Sequence, residues 1–113
     1  MHELSLCGAI ADITNRRAQG RPVEVIHLQV GQLRQVVPDS LHFCWTMLTE
    51  GTDLDGAVLD LNPVPARLHC SDCAVEFALP DPPAFACPSC HGLHVSVVAG
   101  EEFVVTELEF VPA

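Results

Sequence analysis

Four cysteines in the second half of the chain, Cys70, Cys73, Cys87 and Cys90, form two Cys-x-x-Cys pairs with thirteen residues between them. Each pair can present two thiolates to one ion from a tight turn, and two such turns complete a tetrahedron. That is the ligand set of a structural zinc site. A closed four-thiolate site has no open position for chemistry, so the activity has to lie elsewhere. Two other uses of such cysteines compete: disulfides, and an iron centre of the rubredoxin kind carrying electrons. The tetrad spacing counts against disulfides. So does the opening stretch Met1 to Ala18, which lacks a basic n-region and a long apolar h-region and is interrupted by Asp12. The scarcity of aromatic residues, and the helices expected ahead of the tetrad, count against an electron carrier.

Length and charge narrow the field further. At 113 residues with 49% apolar content, the chain is one domain in size, or a compact domain carrying a small module. Five Phe, one Trp and no Tyr imply an aliphatic core and no surface for stacking nucleobases. The formal charge is -10. Four bound thiolates and one divalent ion would take it to about -12, which repels phosphate backbones. Nucleic acid is therefore excluded as a partner; an acidic surface suits a basic partner or the handling of cations. No apolar run approaches the ~20 residues a membrane helix needs. A cytoplasmic chain with reduced thiols is expected.

Periodicity supplies the elements. Glu3 to about Ala18 is expected to be helical, with Leu6, Ile10 and Ile13 on one stripe and Cys7 at its edge; Gly20 and Pro22 stop it. Val23 to Val30 alternates as a strand, with Ile26, Leu28 and Val30 inward and His27 and Gln29 outward. Pro38 opens a second helix with Asp39 and Ser40 in its first turn. Its buried stripe is expected to be Leu41, Cys44, Trp45 and Leu48, with Gly51 as the cap. Ala57 to Asn62 alternates as a strand that Pro63 and Pro65 should end. Phe103 to Phe110 reads as a returning strand, with Val104, Thr106, Leu108 and Phe110 inward and Glu107 and Glu109 outward.

The expected fold class is therefore α+β: a small mixed three-stranded sheet with two helices, carrying an inserted zinc-ribbon-like module. The expected division is 1–65 plus 101–113 for the α+β domain and 66–100 for the zinc-binding domain. The inserted stretch is too small to fold on its own core. Metal binding, roughly 10–16 kcal/mol in small zinc modules, would be its main stabiliser.

The opening Met1-His2-Glu3 gathers donors of another kind. The amine of Met1, the amide nitrogen of His2 and its imidazole Nδ1 can close a five- and a six-membered chelate ring, and the amide of Glu3 can complete a plane. Planar nitrogen donors suit Ni(II) or Cu(II), and copper fits at least as well, since it tops the affinity series. His2 is too bulky for efficient trimming of the initiator methionine, so Met1 is expected to keep its amine. Affinity should fall in acid as the imidazole and amine protonate, near pH ~6.5 and ~8 in unperturbed groups.

Three stretches taken together resemble the HypA/HybF family of nickel metallochaperones of [NiFe]-hydrogenase maturation. They are Met1-His2-Glu3-Leu4-Ser5-Leu6, the run from Val30-Gly31-Gln32-Leu33-Arg34 through Pro38-Asp39-Ser40 to Phe43-Cys44-Trp45, and the paired Cys-x-x-Cys motifs. The resemblance implies transient Ni(II) cargo held by His2, the Met1 amine and the amides of His2 and Glu3. It implies structural Zn(II) on Cys70, Cys73, Cys87 and Cys90. It also implies a maturation GTPase and a hydrogenase large subunit as partners, with urease as a second recipient in some members; a homodimer is left open. In many zinc turns a glycine follows the second cysteine, so that backbone N–H groups can approach sulfur. Here Ala74 and His91 stand there, which leaves the strength of those contacts open.

The remaining candidates have plain readings. Cys7 and Cys44 are expected to be small buried hydrophobes. His27, His42 and His94 are read as surface or structural residues. His69 and His91 flank the tetrad and could exchange with a thiolate, or be solvated loop residues. Asp39 is a first-turn carboxylate, or could approach the amino terminus if the helices pack together. No phosphate loop, Ser-His-Asp set or paired-acid site is present, so a carrier and not an enzyme is expected. The chief rival is a zinc-ribbon adaptor with no nickel delivery.

Overall fold

A computed structural model describes residues 3–112. Helix α1 (Glu3–Ala18) leads into strand β1 (Val23–Gly31), a short 3-10 turn and helix α2 (Pro38–Thr49). Strands β2 (Val58–Val64), β3 (Arg67–Cys70), β4 (Glu76–Ala78), β5 (Val95–Ala99) and β6 (Phe103–Phe110) follow. They form two three-stranded sheets, ordered β2-β1-β6 and β4-β3-β5. The first is mixed: β1 pairs parallel with β2 and antiparallel with β6. The second is wholly antiparallel.

Each sheet has its own buried cluster. Both helices cover one face of the first sheet, where Leu6, Ile10, Leu41 and Trp45 meet Ile26, Leu28, Leu59 and Val105. Each fully buried aliphatic side chain here contributes about 1.5–3 kcal/mol. Two polar ties fix the helices: Trp45 Nε1 donates to the Ala57 carbonyl at 2.8 Å, and Cys7 Sγ–H to the Leu41 carbonyl at 3.5 Å. The second cluster is small, made of Leu68, Phe77, Cys70 and Cys87.

The helix stripes differ from the expected ones by one position each. In α1 the fully buried residue is Thr14, not Ile13, which is half-buried. In α2 Thr49 is buried and Leu48 is 37% exposed, because the core-facing arc follows Leu41, Trp45 and Thr49 at four-residue steps. Strand β2 does not stop at Pro63, which pairs with Val30. It lies at the sheet edge, where proline's missing N–H breaks no ladder bond. In β6 the alternation is broken by a bulge: His27 stands opposite Glu107 and Leu28 opposite Val105, so Thr106 is the extra residue. Phe103 and Val105 consequently face the core where Val104 and Thr106 were expected, while Leu108 and Phe110 do so as expected.

The two sheets meet where backbone touches backbone. The Gly31 N–H donates to the Glu102 carbonyl at 2.6 Å, and the Leu33 N–H to the Gly100 carbonyl at 2.8 Å. Gln32 Oε1 accepts from the Ala66 N–H at 2.9 Å. A side chain at Gly31 would put its Cβ 2.0 Å from the Gly100 oxygen, and one at Gly100 would meet the Ala66 Cα at 2.6 Å. Glycine at both positions is what lets the chain cross itself here.

The outer face of the first sheet is open to solvent, and His27 sits at its centre. Its Nδ1 lies 2.7 Å from Asp60 Oδ2 on β2, and its Nε2 bonds Glu109 Oε2 on β6, so one imidazole ties three strands. With both nitrogens facing carboxylates, the doubly protonated ring satisfies both, and the bonds to Glu109 and then Asp60 raise its pKa above the ordinary value. Relative to an unfolded ring near ~6.5, this stabilisation is complete below that pH and lost as pH rises through the higher folded value. The melting-temperature advantage of wild type over His27→Gln should therefore shrink between pH 6 and pH 9. An advantage that is constant or grows over that range would contradict the clasp.

Candidate metal centre

The sulfur tetrad is assembled by two turns and one long-range pairing. Strand β3 ends on Cys70 and turns through Cys73, while Cys87 to Cys90 forms the second turn. The turns are built alike: the Ala74 N–H donates to the Cys70 carbonyl and the His91 N–H to the Cys87 carbonyl, both at 2.9 Å. Two bonds fasten the turns to each other's flanks. The Ser71 N–H donates to the His94 carbonyl at 3.0 Å, and Ser71 Oγ to the same oxygen at 3.1 Å.

All four Sγ atoms lie within 4.8 Å of one another. The Cys70–Cys90 and Cys73–Cys87 separations are 3.6 and 3.5 Å. Zinc–sulfur bonds of about 2.3 Å set a tetrahedral edge of about 3.8 Å, so the cradle is the right size for one such ion. It is the only cluster of metal-ligating side chains among the described residues. Cys70 and Cys87 are buried, while Cys73 and Cys90 lie nearer the surface. The donor set fits a resident metal ion.

Electrostatics favour thiolate at one corner first. The Cys90 N–H, and after it the Ser89 N–H, point at Cys87 Sγ and, against the cost of burial, lower its pKa from 9.0 to about 6. Cys73 shares its proton with Cys87 and is held up at about 12 for that reason first and by burial second. The Val75 N–H reaches Cys73 and the Gly92 N–H reaches Cys90. The backbone N–H···S contacts that the missing glycines left open are thus present. They are made because Ala74 and His91 take the left-handed conformation themselves, at φ 61° and 62°. An L-residue there costs about 1–2 kcal/mol, which a bound metal can offset. The glycine required by close approach stands one position later. A Cβ on Gly92 would lie 2.8 Å from Asp72 Oδ2 and 3.2 Å from Cys90 Sγ.

Among the amino-terminal candidates, Met1 and His2 lie outside the described residues. Glu3 is the first residue of α1, half-buried, with its carboxylate in the helix's first turn. Burial first, then the Cys44 thiol and the Glu3 carboxylate, raise the Cys7 pKa to about 11, so Cys7 is a protonated core residue. Cys44 is half-buried on α2. Asp39 is exposed in the first turn of α2. His69 is half-buried on β3 and His91 is exposed in its turn. His94 points outward and bonds Asp72 at 2.9 Å. Sequence reasoning missed strands β3, β4 and β5, the Asp60–His27–Glu109 clasp and the role of Gly92. Only the last left a local trace, a glycine two residues past the final cysteine.

Comparison with known proteins places the whole chain. Residues 1–110 match the family described as HypA, hydrogenase/urease nickel incorporation, metallochaperone. The hydrogenase maturation factor HypA of Geotalea uraniireducens is 44% identical over 96% of this chain and 98% of its own length. That of Streptomyces avermitilis is 39% identical over 97% and 87%. The solution structure of the Ni metallochaperone HypA from Helicobacter pylori superposes over 100% of both chains with a TM-score of 0.68 at 21% identity, a likeness of fold.

Metal removal should act locally. The second cluster offers two large buried side chains, Leu68 and Phe77, worth about 3–6 kcal/mol together, against roughly 10–16 from a metal. Stripping the metal, or Cys87→Ser, should collapse the dispersed amide signals of β3 to β5 while the helical dichroism of α1 and α2 persists with a lowered melting temperature. Retained signals in the metal-free protein would contradict this. Gly92→Ala should weaken metal retention in a chelator competition, whereas Ala74→Gly, which relieves the left-handed strain, should not.

Proposed function

The chain belongs to the HypA family of nickel-incorporation metallochaperones, which act in hydrogenase maturation, and on that premise we propose that it carries one Ni(II) at its amino terminus and hands it to a maturation partner. What carries the reading is the opening sequence itself. Met1-His2-Glu3 supplies an amine, amides and an imidazole, and α1 begins at Glu3, the third residue of that run. Glu3 adds a negative charge beside them, favourable both to the helix end and to a cation.

The two metals have different tasks. Cys70, Cys73, Cys87 and Cys90 would hold Zn(II), which cross-links the two turns and does no chemistry because every coordination position is taken. The Ni(II) is cargo, and a carrier must release what it binds. Backbone donors at a chain end meet that need, because protonation of the amine and imidazole competes directly with the ion. We take residues 1–65 with 101–113 as the nickel unit and 66–100 as the zinc unit. The partners on this reading are a maturation GTPase and the hydrogenase large subunit in the cytoplasm, with urease as a further recipient.

The chain contains no lysine, so an amine-selective acetylating reagent has one target, the Met1 amine. Acetylated protein should lose specific Ni(II) binding in calorimetry, and its nickel-loaded form should lose the planar d8 absorption; zinc should stay near one per chain. His2→Ala should do the same. Unchanged nickel affinity in both would reject the site, and an absence of nickel uptake by untreated protein would leave a zinc-bearing adaptor.

A further inference from the structure

Helix α2 buries one side and leaves the other uncovered. Leu41, Trp45 and Thr49 face the core, while Phe43 and Met47 stand one turn apart on the outer side, 66% and 61% exposed. Asp39 and Glu50 lie on the same stripe, one at each end, and both are exposed. At 100° per residue, positions 39, 43, 47 and 50 fall within about 80° of one another, a single ridge with an apolar middle and acidic ends. Beside it a groove of about 290 Å³ runs toward β2, lined by His42, Thr46, Thr49, Asp55 and Val58, the last 56% exposed. From residue 35 to residue 66 the chain carries Asp39, Glu50, Asp53, Asp55 and Asp60, no arginine or lysine, and one histidine, His42.

The charges decide what can cover this ridge. Among the described residues, a second copy of the chain offers only arginines that already have partners. It has no lysine, and each of its five arginines has a contact within its own chain. Arg16 donates to the Asp12 carbonyl, Arg17 to that of Val105 and Arg34 to that of Glu101. Arg21 stacks 3.8 Å over the Phe110 ring, and Arg67 pairs with Glu76. Two copies would also bring together net charges of -10 each. Anionic lipid and nucleic acid are repelled on the same ground. We propose that the outer face of α2 is a docking surface for a partner protein whose contact face sets arginines or lysines around an apolar patch. Phe43 and Met47 are its apolar anchors, and Asp39, Glu50 and Asp55 are its complementary rim. An exposed aromatic and a flexible thioether make an adaptable pair of anchors, while rim charges mainly speed encounter and set its salt dependence.

The test uses the full zinc-loaded chain, labelled for amide spectroscopy, and two synthetic helical probes: an amphipathic leucine–lysine peptide and its leucine–glutamate counterpart. The lysine peptide should shift amides centred on residues 43 and 47, and the glutamate peptide should not. Phe43→Ser with Met47→Ser should weaken the lysine peptide about tenfold without lowering the melting temperature, since neither side chain packs in the core. Asp39→Asn with Glu50→Gln should flatten the salt dependence. Shifts centred instead on Asp60, Glu107 and Glu109 would overturn the proposal. So would equal affinity of the serine double variant, failure of the lysine peptide to bind at low salt, or self-association of wild type abolished in that variant.

Discussion

Strand β6 must come back to the middle strand β1 although all of β3, β4 and β5 intervene, and this closure governs the rest of the architecture. A flexible excursion of that length costs roughly 3 kcal/mol of chain entropy to close. The cost falls when the excursion has its own structure, because the pairing of Arg67 with Ala99 already holds its two ends together. The sulfur tetrad thus reaches the first sheet without touching it, and a bound metal stabilises the β1–β6 ladder through the chain's connectivity. The junction enforces the geometry. Gly31 and Gly100 have no room for a side chain, and the crossing is sealed by backbone hydrogen bonds and by Gln32 on the Ala66 N–H.

Those features explain which parts of the fold were legible in the sequence. Both helices, β1 and β6 were readable because each carries a local period or a stop: Gly20 after α1, Pro38 before α2, alternation along Phe103 to Phe110. The tetrad was readable because Cys-x-x-Cys is a local motif. What escaped depends on partners distant in sequence. Strand β3 has only four residues and exists because β4 and β5 flank it. Pro63 stays in β2 because that strand is an edge, a fact of sheet order. The bulge at Thr106 reverses the alternation midway, which no period count within β6 could show. The His27 clasp joins residues 33 and 82 positions away, and its carboxylates look like ordinary solvated charges until the register is known.

The metal centre departs from the usual pattern in an instructive way. Ala74 and His91 occupy left-handed positions that glycine would take without strain, yet the N–H···S contacts form. The turn geometry is therefore imposed by the tetrad and the Ser71–His94 bonds more than by local preference. A turn held in this way is tied to its metal: when the ion leaves, nothing local favours keeping φ positive. Such a site suits a resident ion whose loss is not part of the working cycle. A cargo site needs the opposite property, donors that are stable in either state.

On the proposed reading, the acidic exterior links cargo to partner. With every arginine turned to its own chain, the field around the protein is negative and concentrates divalent cations without discriminating among them. Discrimination must then come from donor geometry, and planar nitrogen donors supply it where carboxylates cannot. The same field draws a basic partner. A cationic partner seated on Phe43 and Met47 would bring positive charge against this acidic chain. Its positive charge would cancel part of the field that favours a bound dication. On that reading, docking would weaken the hold on nickel as the partner arrives.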